Sequence, residues 1–136
     1  MSINADLRDQ LINSARQAMK HAYAPYSKFN VGAALVTADG QIFNGCNVEN
    51  ASYGLTICAE RNAIFAAVAV LPAGLKLAIK AIAVVNSHNV PCSPCGACRQ
   101  VIAEFAAKEG VTVFYQATDG IKQSSIADLL PDSFSM

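Results

Sequence analysis

The sequence predicts an α/β layer fold with a single sheet. Runs of apolar residues at helical spacing alternate along the chain with short apolar and branched runs of strand length, and turn residues separate them. Such an alternation is typical of helices packed against a sheet. The chain shows no internal repeat, linker or low-complexity segment, so residues 1–136 are predicted to form one domain.

The N-terminal half contains a predicted helix, a hairpin and a second helix. Residues 4–22 place apolar side chains three and four positions apart, a helical pattern that Pro25 ends. Residues 29–48 form two strand-like runs around an Asp-Gly turn, which predicts a β-hairpin. After a polar loop, residues 56–71 are rich in alanine with apolar residues at helical spacing. They predict a largely buried helix with Thr56 as a candidate cap.

The C-terminal half alternates strands and helices. Residues 78–86 have the length and branched side chains of a buried strand. A third helix is predicted over 94–110, where a proline suits the first turn and a glycine the end. A strand over 111–117 and a short helix over 124–130 then precede a polar tail.

The charge balance and the apolar composition indicate a small neutral ligand and an oligomer. Ten basic and ten acidic residues leave no formal net charge, whereas a protein that binds nucleic acid through its phosphates needs a basic surface. Charged residues make up only 15% of the chain, against about 25% in typical domains. We therefore expect no nucleic acid partner, and an oligomer that buries apolar surface between subunits.

Membrane insertion and secretion are not expected. The apolar run 63–71 ends at Pro72 and is shorter than the roughly 20 residues of a membrane-spanning helix. Residues 1–10 are polar, unlike a secretory signal. The expected compartment is the cytoplasm, where thiols stay reduced. Five cysteines there favour a metal site or catalysis over disulfides.

Three cysteines are placed to bind a metal. Cys95 and Cys98 share one face at the start of a predicted helix, and Cys58 lies near the start of another. Helix N-termini favour thiolates, and three thiolates make a tetrahedral zinc site with an open fourth position. Glu60 is a candidate to carry a proton from a zinc-activated water. Residues two apart in a regular helix point to nearly opposite sides. The Glu60 side chain can therefore reach the metal region together with Cys58 only if Cys58 precedes the regular part of the helix.

Other assignments of neighbouring residues stay open at this point. Arg61, and also Arg99, are candidates to hydrogen bond thiolate sulfur and offset the negative charge of the site. Cys92 is a candidate fourth thiolate, which would close the site and make the zinc structural. The Cys-x-x-Cys spacing also suits a redox disulfide. Against Cys92 as a ligand, the Ser93-Pro94 pair favours an extended backbone before the helix.

The chain resembles the cytidine and deoxycytidylate deaminase family, in its small three-cysteine zinc form. The sequences CAE at 58–60 and PCGACRQ at 94–100 carry the resemblance. The segments FNVGAALVT, GCNVENASYGLTICAERNAIFAAV and LLPDSF extend it over nearly the whole chain. The resemblance implies a three-layer α/β/α fold with one mixed sheet, one zinc ion per chain and a homotetramer.

The resemblance also implies a reaction. Cys58, Cys95 and Cys98 match the zinc ligands and Glu60 matches the proton shuttle: a zinc-activated water would attack C4 of cytosine while Glu60 moves protons to N3 and to the departing amine. The implied activity is the zinc-dependent hydrolytic deamination of cytidine and deoxycytidine to uridine and deoxyuridine, with release of ammonia, in pyrimidine salvage. The alternatives are a structural four-cysteine zinc module and a deaminase of another amino-heterocycle.

Substrate contacts follow from the same resemblance. Phe29 matches an aromatic residue that packs against the pyrimidine. Asn47 and Glu49 match a pair that binds the ribose 3′-hydroxyl, and the backbone around Ala59 matches the part that binds the edge of the base. Phe134 matches a C-terminal aromatic residue that reaches the active site of a neighbouring subunit.

Overall fold

The computed structural model describes residues 3–136. Helices cover both faces of one five-stranded mixed sheet, so the predicted three-layer α/β/α fold is confirmed. The elements in chain order are α1 (Ala5–Met19), β1 (Val31–Thr37), β2 (Ile42–Cys46), a 3-10 turn (Tyr53–Leu55), α2 (Ala59–Val70), β3 (Ile79–Asn86), α3 (Gly96–Glu104), β4 (Thr112–Ala117), β5 (Gly120–Ser125) and α4 (Ile126–Leu129).

The strand order and register bring three strand ends together. The order is β2-β1-β3-β4-β5. Strands β3 and β4 are parallel and joined through α3, whereas the other neighbouring pairs are antiparallel. Val31 is opposite Asn86, and Gly32 is opposite Cys46. The start of β1 and the ends of β2 and β3 therefore meet at one end of the sheet, which carries the candidate site.

Alternation along the central strands divides the core into two layers. Ala33 and Leu35 of β1 pack in the layer that holds α2 and α3. Ala34 and Val36 point the other way, into the layer that holds α1. The same division runs along β3 and β4. Because both faces are covered, these strands are almost continuously apolar in sequence.

Helix α1 begins at a capping residue and packs closely on β1. Asn4 Oδ1 accepts the Leu7 N–H at 2.8 Å, which satisfies one of the free donors of the first turn. Leu11 and Ala15 are fully buried against the sheet. A Cβ atom at Gly32 would lie 1.9 Å from the Ala15 carbonyl oxygen, so the helix can approach β1 this closely only at glycine.

The largest differences from the predicted elements lie in two places. Residues 120–125, which carried no strand prediction, form edge strand β5 against β4. The third helix ends at Glu104 rather than at 110, because the following backbone pairs with β3 instead: Ile79 N–H donates to Phe105 O at 2.7 Å, and Ala107 N–H to Ile79 O at 2.9 Å.

Among residues 3–136, no helix combines the length and the apolar character needed to cross a bilayer.

Candidate functional site

The candidate site is a cleft of about 160 Å³ at the sheet end described above. Val31 at the start of β1 and Val84 near the end of β3 line it. Cys58 and Glu60 reach it from the start of α2, and Cys95 from the start of α3. The strand register and two helix starts thus bring residues 37 positions apart, Cys58 and Cys95, into contact.

Both of these cysteines are N-cap residues. Cys58 has φ −70° and ψ 156°, and Cys95 has φ −67° and ψ 167°, so each is extended and precedes its helix. Neither side chain forms a capping hydrogen bond, which leaves both sulfur atoms to face the cleft. Cys98 follows in the first turn of α3 and is fully buried. The condition that Cys58 precede the regular helix is met, whereas Thr56 does not cap α2.

The three sulfur atoms fit a zinc ion. They all lie within 4.8 Å of one another, and Cys58 Sγ is 3.9 Å from Cys95 Sγ. Zn–S bonds of about 2.3 Å in a tetrahedron place sulfur atoms about 3.8 Å apart. The neighbouring Cys98 thiol, and then Arg61, lower the pKa of Cys58 to about 5. At least one donor is therefore a thiolate at neutral pH, the form that binds zinc.

Arg61 contacts the sulfur cluster. Its Nη2 lies 3.3 Å from Cys58 Sγ, and hydrogen bonding to Cys58 raises the pKa of Arg61 above its ordinary value. Its Nε is buried and has no hydrogen-bond partner among residues 3–136. The guanidinium is thus placed to offset negative charge on the thiolates, the role for which Arg61 is a candidate.

Arg99 has a different role from the one considered above. Its Nε donates to Pro94 O at 2.7 Å and its Nη1 to Leu129 O at 2.8 Å, while Nη2 donates to Ser93 Oγ at 2.9 Å. These bonds hold the segment that precedes α3 against the end of α4. Arg99 therefore fixes the backbone that carries Cys95 rather than contacting sulfur.

Glu60 is a buried carboxyl beside the cluster. It is 4% exposed, lies in the first turn of α2 and lines the cleft. Burial, and to a smaller degree the negative charge of Cys58, raise the pKa of Glu60 to about 7. A carboxyl with such a pKa both accepts and releases a proton near neutral pH, which is the property of a general acid–base group.

Cys92 lines the cleft without joining the cluster. It is half-buried and is not one of the three cysteines whose sulfur atoms lie within 4.8 Å of one another. Its backbone N–H donates to Gln116 O at 2.9 Å, which fixes the segment in an extended path beside β4. Burial raises the pKa of its thiol. This geometry favours an open three-thiolate site over the closed four-thiolate one.

Asn47 and Glu49 lie at the end of β2 and hold the loop that carries Phe29. Asn47 is 8% exposed; its Nδ2 donates to Phe29 O at 2.8 Å, and its Oδ1 accepts the Val31 N–H at 2.9 Å. Glu49 Oε1 accepts the backbone N–H groups of residues 26 and 27 at 3.0 and 3.2 Å. Phe29, Asn47 and Glu49 therefore form one hydrogen-bonded unit.

Ser27 completes this unit. Its hydroxyl donates to Glu49 Oε2 and accepts the Phe29 N–H at 3.0 Å. This hydroxyl is the first cause of the lowered pKa of Glu49, which keeps the carboxylate anionic. Ser27, and Val31 and Val84 in the cleft, are not among the site residues predicted from the sequence. Nothing in the local pattern distinguishes these residues from ordinary loop and strand positions.

The two remaining expected contacts lie in different places. Ala59 lines the cleft as the first residue of α2, where the backbone N–H groups have no helical acceptor and can face a ligand. Phe134 does not line the cleft of its own chain. Its side chain is 72% exposed, and Gln100 Nε2 donates to its carbonyl oxygen at 3.1 Å. The structure thus brings eight of the expected site residues to one end of the sheet, with Arg61 beside the sulfur atoms, whereas Phe134 lies elsewhere. The eight residues are Phe29, Asn47, Glu49, Cys58, Ala59, Glu60, Cys95 and Cys98.

Similar proteins share this site region and fold. A family profile described as the cytidine and deoxycytidylate deaminase zinc-binding region matches residues 6–114. A cytidine deaminase from Sporosarcina psychrophila is 47% identical over 127 residues, which cover 93% of this chain and 90% of the relative. A cytidine deaminase from Mycobacterium tuberculosis is 41% identical over 128 residues, covering 94% and 90%.

A solved structure agrees with the sequence relatives. The crystal structure of a cytidine deaminase from Burkholderia pseudomallei superposes with a TM-score of 0.80 at 51% identity and covers 93% of this chain and 98% of that one. The profile is that of a zinc-binding region and spans the three clustered cysteines, so zinc is the cofactor of the site. By its profile, its relatives and its fold, this chain is a member of the cytidine and deoxycytidylate deaminase family.

Proposed function

We propose that the protein, as one deaminase domain over residues 1–136, catalyses the zinc-dependent hydrolytic deamination of cytidine and deoxycytidine. The products are uridine or deoxyuridine and ammonia, and the metabolic role is pyrimidine salvage. The observation that carries the proposal is the placement of the buried Glu60 carboxyl in the same small cleft as the Cys58, Cys95 and Cys98 cluster. Relatives along nearly the whole chain are cytidine deaminases.

Different residues of the chain carry out different parts of the reaction. Zinc held by the three thiolates would lower the pKa of a water molecule to about 7 and so supply a nucleophile at neutral pH. Glu60 takes a proton from that water and delivers it to N3 of cytosine, which makes C4 more electrophilic. After the oxygen adds to C4, Glu60 takes the proton of the new C4 hydroxyl and gives it to the amine. The C4–N bond then breaks, the C4 carbonyl forms and ammonia leaves. Arg61 stabilises the thiolates, and free backbone N–H groups at Ala59 bind the base edge.

The nucleoside is proposed to bind along the Phe29, Asn47 and Glu49 unit. Phe29 packs on the pyrimidine. Asn47 Nδ2 has two hydrogens and gives one to Phe29 O, so the second is left for a ribose hydroxyl. Glu49 stays anionic and has acceptor capacity beyond its bonds to the loop. Within residues 3–136, no lysine or arginine lines the cleft, which favours an uncharged nucleoside over deoxycytidylate.

Turnover of purified protein tests the activity. Cytidine, deoxycytidine, cytosine and deoxycytidylate are supplied separately, and loss of the cytosine absorbance is followed with and without a zinc chelator. We expect turnover of the two nucleosides, loss of activity after chelation and recovery with zinc. A zinc-loaded protein that turns over neither nucleoside contradicts the proposal, and turnover of cytosine alone favours the deaminase of another amino-heterocycle.

Substitution of Glu60 tests the mechanism. Glu60→Ala removes the proton carrier without touching a sulfur atom, so zinc content and fold should persist while kcat falls by at least about 10²–10⁴-fold. Glu104→Ala is the matched control, because Glu104 pairs with Lys76 on an exposed surface at 3.9 Å. Full activity in Glu60→Ala would show that another group moves the proton.

The assembly and the compartment are also proposals. We propose a homotetramer in which Phe134 reaches the cleft of a neighbouring subunit. Its exposure, together with the exposed apolar side chains Phe65, Val68 and Val70 of α2, supports this assembly. The five cysteines are free thiols in the structure, which suits a reducing compartment and supports a cytoplasmic location.

A further inference from the structure

His88 contacts Phe29, the aromatic residue proposed to pack on the pyrimidine. Its ring centroid lies 5.1 Å from that of Phe29, and the two ring planes make an angle of 86°. This is the edge-to-face arrangement that aromatic rings favour. The chain has two histidines, and the other, His21, is exposed just beyond the end of α1.

The turn that carries His88 is fixed by a buried side chain. Asn86, at the end of β3, is 3% exposed. Its Oδ1 accepts the N–H groups of His88 and Val90, each at 3.1 Å, and its Nδ2 donates to Val90 O at 2.8 Å. Asn89 takes the left-handed conformation the turn requires, with φ 51°, which asparagine tolerates better than most residues. These hydrogen bonds from Asn86 therefore hold the backbone of the turn at His88 in one conformation.

The same turn is bound to the backbone next to Phe29. Ser87 N–H donates to Asn30 O at 2.8 Å, and Ser87 Oγ accepts the Asn30 N–H at 3.1 Å. Beyond the turn, the chain continues through Cys92 to the zinc ligand Cys95. One short segment thus links the position of the Phe29 ring to the position of the metal ligand.

We propose that His88 is a positioning residue that holds the Phe29 ring in the orientation that packs on the pyrimidine. The inference rests on the proposed function, because it assigns Phe29 to the substrate base. His88 acts through Phe29 and takes no part in proton transfer. Its loss should therefore weaken binding of substrate and transition state alike, which raises KM and leaves kcat nearly unchanged.

Kinetics of three variants test the proposal. His88→Ala should raise KM for cytidine about two- to tenfold, the range expected for an aromatic pair, with kcat within about twofold of the parent. His88→Phe keeps an aromatic edge and should restore most of the loss. His21→Ala is the matched control and should match the parent. Zinc content and the unfolding temperature of each variant establish that the fold persists.

Proton NMR of the two imidazole rings separates this inference from the proposed activity. Phe29→Leu removes the ring current felt by His88, so the His88 signals should move while those of His21 stay. Uridine, which would pack on Phe29, should also move the His88 signals in the parent protein. If the protein does not turn over cytidine, the proposed function is contradicted. The Phe29→Leu spectra still test the contact between His88 and Phe29.

Three results would overturn the inference. They are an unchanged KM in His88→Ala, a failure of His88→Phe to recover KM, and His88 signals that move neither with Phe29→Leu nor with uridine.

Discussion

Asn47 illustrates at the scale of one residue how a side chain can serve both the fold and the site. Its amide joins the backbone on both sides of residue 30, through Phe29 O and Val31 N–H. Those two bonds fix the backbone of Phe29 close to Val31, which lines the cleft, and align the start of β1. Because the amide is almost fully buried, its loss leaves backbone groups without a partner.

Replacement of Asn47 should therefore affect stability as well as binding. We expect Asn47→Ala to lower the free energy of unfolding by about 1–3 kcal/mol and to raise KM for cytidine. Denaturant unfolding measures the first effect and steady-state kinetics the second. Asn13→Ala, at an exposed position of α1, should change stability by less than about 0.5 kcal/mol. An Asn47→Ala protein as stable as its parent would mean that the two bonds are replaced by water.

Cys92 provides the residue-scale test of an open metal site. Cys92→Ser should keep one zinc per chain and most of the activity, because the cluster is complete without this thiol. Cys98→Ser removes a buried thiol of the cluster and should lose the metal. Metal analysis after gel filtration measures both. Loss of zinc and folding in Cys92→Ser would instead support the closed structural site.

At the scale of elements, the starts of α2 and α3 build the metal site together. Each helix is preceded by a cysteine in an extended conformation, and each N-terminus carries partial positive charge that stabilises thiolates. Strand β2 sets the position of α2 by close contact: a Cβ atom at Gly45 would lie 2.4 Å from the Ala63 backbone nitrogen. The helix that carries Cys58 and Glu60 can rest on β2 only because residue 45 is glycine.

The close contact at Gly45 gives an element-scale prediction. Gly45→Ala should lower the free energy of unfolding by about 1–3 kcal/mol, because the new methyl group meets backbone that cannot move aside, and should reduce activity as α2 shifts. Thermal unfolding and kinetics measure these effects. Gly54→Ala is the control, since a Cβ there has open space and the backbone needs no left-handed conformation. Equal stability of the two variants would contradict the prediction.

At the scale of the whole molecule, the exposed apolar side chains indicate association. Phe65 of α2 is 48% exposed, and Val68 and Val70 of the same helix are 42% and 64% exposed. We expect Phe65→Lys to shift the protein from the proposed tetramer to smaller species, because a charge there cannot be buried without a partner. Size-exclusion chromatography with light scattering measures the mass.

A matched substitution controls for the added charge. Asn13→Lys adds the same charge on α1 and should leave the mass unchanged. Circular dichroism establishes that the Phe65→Lys subunit stays folded. A tetramer that persists in Phe65→Lys would place the subunit interface on another face.

The sequence by itself determined the helices, the hairpin and the buried strands, because their signals are local. The Asp-Gly turn and the alternation around it are confirmed as β1 and β2. The spacing of Cys95 and Cys98, and the argument that Cys58 must precede its helix, follow from helix geometry alone. These inferences need no knowledge of contacts between distant residues.

Only the tertiary structure decided what depends on pairing between distant segments. The mostly polar residues 120–125 become a strand because β4 offers them an edge. Thr56 is not a cap because α2 begins only after Cys58, and the Thr56 Oγ1 accepts the Asn50 N–H. Strand register likewise brings His88 into contact with Phe29. It also allows Asn47 and Glu49 to hydrogen bond the loop that contains Ser27 and Phe29. Helix and strand patterns describe neighbours along the chain, whereas a binding cleft is made where separate segments meet.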